Sequence, residues 1–439
     1  MKRALDALLL LALSAYIWAG VSGAPFHGDE STQVFMSRDF AYLFLSGQAE
    51  RVFYADPPVS AQEQELRLLN GVINKYSIGL AWHLAGFTPS ALNEQWDWGA
   101  DWSYNQTTGH APGAALLQTS RWPSALFLVV GLLAVYALAG QVGGRAAAWI
   151  AAILYALHPT LLLNGRRAMM EGSLIAFTAL AALLAVYWLR GRGGRAWWWA
   201  ILFGLCAGMA LASKHTAVLA IIPIGAAALV WALLTERRQG GRALALRVLQ
   251  LALAALIAAG LFYALNPVWW GGPLDRLSLV LRLRSDLLAG QTAAFGGYAG
   301  SLDALAGFLR QSFAPAPQYF EVAAWGDWLA PQIAAYESSL LAGLTAPWLW
   351  AVASVLLGGA GLWALWRGHG LPAARWMAAV WFVSALVTVF LLTPIEWQRY
   401  YLPVYPPLIV IMGAGGSWLL ERGQMSLKHL RAGTTGENS

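Results

Sequence analysis

Charge is scarce in this chain, and cysteine is almost missing. Asp, Glu, Lys and Arg make up 11% of the 439 residues, less than half of the roughly 25% typical of soluble domains. An ordinary water-soluble fold is thereby excluded. The one cysteine, Cys206, lies inside an apolar run. No disulfide framework can form within the chain, there is no Cys-rich metal centre, and Cys206 reads as a small buried hydrophobe. Basic surplus is also modest: the net charge of +6 fits loop anchors at a membrane better than nucleic-acid binding. No internal repeat is visible.

What is present is apolar sequence. Hydrophobic residues are 58% of the chain, divided into runs near the roughly 20 residues that cross hydrocarbon as a helix. Spans are expected at 4–22, 119–140, 145–163, 170–189, 196–213, 215–234, 243–265, 343–366, 374–393 and 401–420. The expected fold class is therefore an all-α polytopic membrane protein with about ten transmembrane helices. The first span also has the form of a cleavable signal peptide, with Lys2-Arg3 before it and Val21-Ser22-Gly23-Ala24 after it. Downstream topology is the same in either case.

Loop charge orients these spans. With a cytoplasmic N-terminus, one side holds Lys2, Arg3, Arg145, Arg190, Arg192, Arg195, Arg237, Arg238, Arg242, Arg247, Arg367, Arg375, Arg422, Lys428 and Arg431. The acids there are Glu236, Glu421 and Glu437, with Asp6 at the edge of the first span, and every other Asp and Glu falls outside. This is the positive-inside pattern. It places both termini in the cytoplasm of a multi-pass plasma-membrane protein. Two outer stretches, 23–118 and 266–342, are too long for bare connections and should fold over the membrane surface. The first contains an amphipathic piece at 31–48 (Val34, Phe35, Arg38, Tyr42, Leu45), a second apolar piece at 70–87 and a Trp-rich segment. The amphipathic piece reads as an interfacial helix. Residues 1–425 form the transmembrane domain and 426–439 a cytoplasmic tail, disordered from Ala432.

Five outer clusters carry groups able to do chemistry. In His27-Gly28-Asp29-Glu30, a carboxylate desolvated at the membrane edge gains basicity, but Asp29 also suits a solvated loop or a helix N-terminus. In Arg166-Arg167-Ala168-Met169-Met170-Glu171, the arginines run against the positive-inside trend and call for a phosphate-like ligand or for Glu171 as partner. Lys214-His215 sits at an outer turn, where Lys214 either snorkels or meets a phosphate. Glu396-Trp397-Gln398-Arg399-Tyr400-Tyr401-Leu402-Pro403 puts another arginine at the outer boundary, beside belt-like tyrosines. Finally, Asn74-Lys75-Tyr76 with Trp82, then Trp96-Asp97-Trp98 and Asp101-Trp102-Ser103-Tyr104, suit either sugar binding or interfacial anchoring. Asn105-Gln106-Thr107 matches a glycosylation sequon. All five clusters lie on one side, with no mid-span ladder of ionisable groups such as an ion pathway needs.

In order, spacing and sidedness these motifs resemble the GT-C membrane glycosyltransferases, in the protein O-mannosyltransferase and aminoarabinose transferase branch. The resemblance covers residues 1 to about 235 and 380–420 and rests on Asp29-Glu30, Lys75, Ser120-Arg121, Asn164-Gly165-Arg166-Arg167 with Glu171, Lys214, and Arg399-Tyr400 before Leu402-Pro403. It implies a sugar donor on a polyprenyl phosphate and an unspecified glycan, lipid or protein acceptor, with no nucleic-acid partner. By that resemblance Asp29 is the catalytic base, and Glu30 supports it or binds the sugar or acceptor. Lys75 and Arg399 contact the donor phosphate, with Arg166 and Lys214 as further candidates. Glu171, Tyr400, Trp82 and Trp98 touch sugar or acceptor. No cofactor is demanded; a divalent metal with His27 as ligand is an open alternative that no second or third ligand in the sequence supports. The sequence Asn74-Lys75-Tyr76-Ser77 replaces a proline-rich segment of many relatives, which leaves sugar and acceptor open. A transporter or lipid flippase, and a non-catalytic assembly protein, are the other readings of such a chain.

Overall fold

The computed structural model describes residues 2–237 and 240–435, with side-chain surroundings as far as Ser426. Every regular element among the described residues is a helix. Eight of them are long and apolar enough to cross a membrane, which makes the chain a multi-pass membrane protein. Ala114–Leu157, 44 residues long, contains the expected span 119–140 and most of 145–163 as two arms; the rest of the latter lies in the separate helix Pro159–Arg166. The arms meet at Gly143 (φ −136°, ψ 18°) and Gly144 (φ 76°, ψ −168°). The positive φ at Gly144 is a conformation only glycine adopts without strain. The expected span 4–22 is the helix Lys2–Ala19, outside those eight because Lys2, Arg3 and Asp6 occupy its first turns. Asp6 is held there by Arg145 Nε at 2.8 Å and Trp149 Nε1 at 2.6 Å.

Small residues let the spans pack where lipid supplies no hydrophobic contrast. Gly204 and Gly208 of Gly194–Ser213 press on Gly241–Leu265, so that a Cβ added at either would lie 2.6 Å from Ala254 O or 2.9 Å from Ala258 O. Gly361 and Gly415 do the same between Gly359–Trp366 and Tyr405–Thr435. Large apolar side chains such as Ile222, Leu256 and Leu391 point outward, as lipid-facing positions should.

Both long loops fold at one end of the bundle. The expected helix over 31–48 is instead two shorter ones, Gly28–Met36 and Arg38–Phe44, joined at Ser37. Val34 and Phe35 are buried in protein, not turned to lipid. The piece at 70–87 forms Ile73–Leu84, about 18 Å long and too short to span hydrocarbon. In the second loop, Pro273–Phe295, Ser301–Phe313 and Gly326–Glu337 are the main helices. Reciprocal bonds between Gln318 and Gln398, 3.0 and 2.7 Å, tie this loop to the last span. The final helix continues to Thr435, past the Ala432 at which disorder was expected. Positions 436–439 of that expected tail lie outside the described residues.

Candidate functional site

The site begins with how Gly28–Met36 starts. His27 has extended backbone and caps the helix. Its Nδ1 accepts the Asp29 N–H at 3.1 Å, and its own N–H reaches Glu30 Oε2 at 3.1 Å. With Nδ1 accepting, Nε2–H is left to donate to Glu321 Oε2 at 2.6 Å, which fixes the tautomer. Burial, with Arg167 and Arg399 nearby, lowers the His27 pKa despite Glu321, so the ring is neutral.

Eight of the nine residues in this helix are buried, and Asp29 is the exception. Its carboxylate accepts from Arg399, and Arg399 Nε lies 3.5 Å from Glu321 Oε1. Asp29, Glu321 and Arg399 line one cavity of about 1050 Å³. Loop residues and the ends of spans form its wall. Its lining includes Met169, Met170, Glu171, Lys214, Arg284 and Leu287, and also Gln95, Trp96, Asp97, Trp98 and Gly99. Lys214 Nζ meets Glu171 Oε1 at 2.9 Å, leaving Glu171 Oε2 buried without a partner. Tyr400 OH donates to Gln291 Oε1 at 2.9 Å.

Arg284, from Pro273–Phe295, is the cavity cation that sequence reasoning passed over. It bonds the Leu69 carbonyl, pairs with no carboxylate among the described residues, and its Nε is buried without a partner. Burial depresses its pKa, so a phosphate that replaced the lost water would be well received. The signal was available, since Arg284 is another arginine in a long loop that the charge pattern assigns to the acid-rich side. Glu321 gave no signal, because nothing in the sequence around Tyr319-Phe320-Glu321 marks it.

Of the expected site residues, Asp29, Glu171, Lys214, Arg399, Tyr400 and Trp98 come together in the cavity, and Glu30, Lys75, Arg166 and Trp82 do not. Glu30 is enclosed: Arg121 Nε and Nη2 donate at 2.7 and 2.8 Å, and the Ala168 N–H at 2.8 Å. Burial would raise its pKa, but Arg121, Arg167 and the Ala168 N–H outweigh burial and hold it below the usual range. Lys75 Nζ is sealed against Asp39 Oδ2 at 2.6 Å, with Arg67 completing the cluster. Arg166 gives its guanidinium to the Ile17, Tyr16 and Leu341 carbonyls and to Tyr336 OH. Arg167 likewise bonds Pro25 O and Tyr319 O, at 2.9 and 2.8 Å. The outer arginines are thus compensated by carbonyl oxygens, where the sequence pointed to a phosphate or to Glu171. Trp82 is fully buried and donates to Ser37 Oγ.

Residues 67–267 match the family described as Dolichyl-phosphate-mannose-protein mannosyltransferase. Among solved structures, ArnT from Cupriavidus metallidurans in the apo state is 14% identical with a TM-score of 0.55, over 94% of this chain and 60% of that one. The same protein bound to undecaprenyl phosphate is 15% identical with a TM-score of 0.52, over 93% and 59%. No curated protein matches by sequence. The chain therefore has the fold of the ArnT structure, and it spans about 60% of that structure's length.

Proposed function

We propose that this protein is a membrane glycosyltransferase that moves a sugar from a polyprenyl-phosphate donor to an acceptor hydroxyl. The observation that carries this reading is Asp29, the one residue of its helix that is not buried, paired with Arg399 in a cavity that also holds Arg284, a cation with no carboxylate partner among the described residues. Arg284, Lys214 and Arg399 receive the donor phosphate, in accord with the undecaprenyl phosphate named for the ArnT structure. Leu66, Leu69, Leu287 and Phe295 supply an apolar wall for the first prenyl units. Asp29 takes the proton of the acceptor hydroxyl. The acceptor oxygen bonds to the anomeric carbon as the bond from that carbon to the phosphate oxygen breaks. The electron pair leaves on the polyprenyl monophosphate, and the anomeric carbon inverts. Guanidinium and ammonium groups stabilise that charge, so no metal is required and a chelator leaves the rate unchanged. Loop charge supports a cavity on the extracytoplasmic face of the plasma membrane, with both termini cytoplasmic.

The test is transfer from a lipid-linked radiolabelled sugar in nanodiscs containing the full chain. Loss of a general base slows such reactions by about 10²–10⁴-fold. Asp29→Asn is therefore expected to lose transfer while keeping undecaprenyl phosphate binding. Full activity in this variant would remove Asp29 from the mechanism.

A further inference from the structure

We infer that the acceptor is a carbohydrate, seated by one apolar face on Trp98; this rests on the transferase reading above. Trp98 is 46% exposed and lines the cavity, the most open aromatic ring of its cluster. It leans on Trp325 with ring centres 5.3 Å apart and planes at 32°. Trp325 itself packs edge-on against Trp96 and Trp102, so the open ring stands on a rigid aromatic base. Membrane anchoring does not account for this arrangement, because the supporting tryptophans are buried in protein.

Polar groups around the ring complete a seat for hydroxyls. Trp96 Nε1–H and Gln95 Oε1 are both buried without partners, one a donor and one an acceptor. Gln95 is fixed by donating to Thr32 Oγ1 at 2.9 Å and to Trp96 O. Asp97 lines the same cavity, with its Oδ1 accepting from the Gly99 N–H at 2.9 Å. Pyranose rings offer this complement: an apolar C–H face, with hydroxyls that donate and accept at the edge.

Position argues for acceptor over donor sugar. A Cβ on Gly28 would lie 3.0 Å from Trp98 and 3.1 Å from Trp96 Nε1. The aromatic seat thus abuts the residue before Asp29, whereas Arg399 holds the carboxylate itself. A hydroxyl of a sugar on Trp98 is thus placed beside Asp29, the group that takes its proton.

The experiment is saturation-transfer NMR on the full chain in nanodiscs. Its probes are methyl β-glucopyranoside, methyl β-galactopyranoside and methyl N-acetyl-β-glucosaminide, each with and without saturating undecaprenyl phosphate. At least one glycoside is expected to bind, on the order of millimolar, with the lipid phosphate present. Trp98→Ala should weaken it about tenfold and Trp98→Phe by about threefold or less, with undecaprenyl phosphate affinity unchanged. Three results overturn the inference: no glycoside binds, Trp98→Ala binds as well as wild type, or a Ser/Thr peptide saturates the site while glycosides do not. Displacement of the glycoside by a lipid-linked sugar, but not by the lipid phosphate, gives the seat to the donor and also overturns it. Failure with undecaprenyl phosphate still bound leaves the transferase reading standing; loss of lipid binding as well removes that reading.

Discussion

Arg399 pairs with Asp29 across 370 positions of chain, joining the entrance of the last span to the start of the first loop. The group assigned to the donor phosphate and the group assigned to the proton therefore neutralise each other before substrate binds. Glu321 stands 3.5 Å from Arg399 Nε and holds the guanidinium from the second loop. A donor phosphate arriving at Arg399 would compete with Asp29 and release its carboxylate for the acceptor.

Arg399→Lys tests that sharing. Lysine keeps the charge but loses the planar fork that meets Asp29 and Glu321 together. We expect kcat/KM to fall about 10–100-fold, as misplaced groups in a transfer site do, with part of the loss in kcat. A change confined to KM would mean that Arg399 only binds donor.

Arg284 has a simpler role, and its substitution should separate binding from chemistry. Arg284→Gln removes a buried guanidinium with no carboxylate partner among the described residues, so it strands no acid. The loss of one charge-assisted contact is expected to weaken undecaprenyl phosphate about tenfold. Thermal-shift titration of the purified chain measures this. Unchanged affinity would place the phosphate elsewhere in the cavity.

Acid should destabilise the protein in two stages. His27 has a folded pKa below its ordinary 6.5. Below that pH the unfolded chain takes a proton that the folded ring refuses, so stability falls as pH drops past it. Glu30 and Asp39 have folded values below their ordinary 4.5 and 3.8. Their contribution is complete above those values and is lost as pH falls through the folded ones. Melting temperature measured from pH 8 to pH 2.5 should be flat at first, decline from about pH 6.5, and decline further below 4.5. His27→Gln, which can accept from Asp29 N–H and donate to Glu321, should shrink the first stage. Glu30→Gln leaves Arg121 buried without its carboxylate and should cost about 3–5 kcal/mol of stability. Loss of activity without loss of stability would return Glu30 to the reaction.

Sequence and structure agree where the physics is local or one-dimensional. Apolar runs and loop charge are read along the chain, so helical spans and the outer cluster of charges were visible. Asp29 was visible because a carboxylate just after a span is conspicuous. The pairing of charges was not, because it depends on which loop folds over which. Lys75 and Lys214 look alike in sequence, yet one is sealed against Asp39 and the other faces the cavity with Glu171. Arg166 and Arg167 stood out for the right reason, a cation that needs compensation. The compensation is backbone carbonyl, and no sequence pattern marks a carbonyl. The helix expected at 31–48 divides because Ser37 turns inward to the Val34 carbonyl and to Trp82, a tertiary contact that amphipathic spacing does not register.

Gly71 offers a test of how the first loop sets the donor end of the cavity. The loop meets the Gly194–Ser213 helix there, and Val72 N–H donates to Ala212 O at 2.7 Å. A Cβ on Gly71 would lie 2.1 Å from Ser213 O and 2.5 Å from Ala212 O. Both are backbone atoms, so no side-chain rotation relieves the clash. Gly71→Ala must push the loop away from the helix end that carries Lys214, with a cost in the range of about 1–3 kcal/mol for overpacking. Melting temperature should fall and undecaprenyl phosphate affinity should weaken with it, because Lys214 and Glu171 move relative to Arg284. Gly113→Ala is the control: Gly113 has φ −60° and no atom within 4 Å of an added Cβ. It should leave both quantities unchanged. If Gly71→Ala also leaves them unchanged, the contact between the first loop and the Lys214 turn does not hold the cavity in shape.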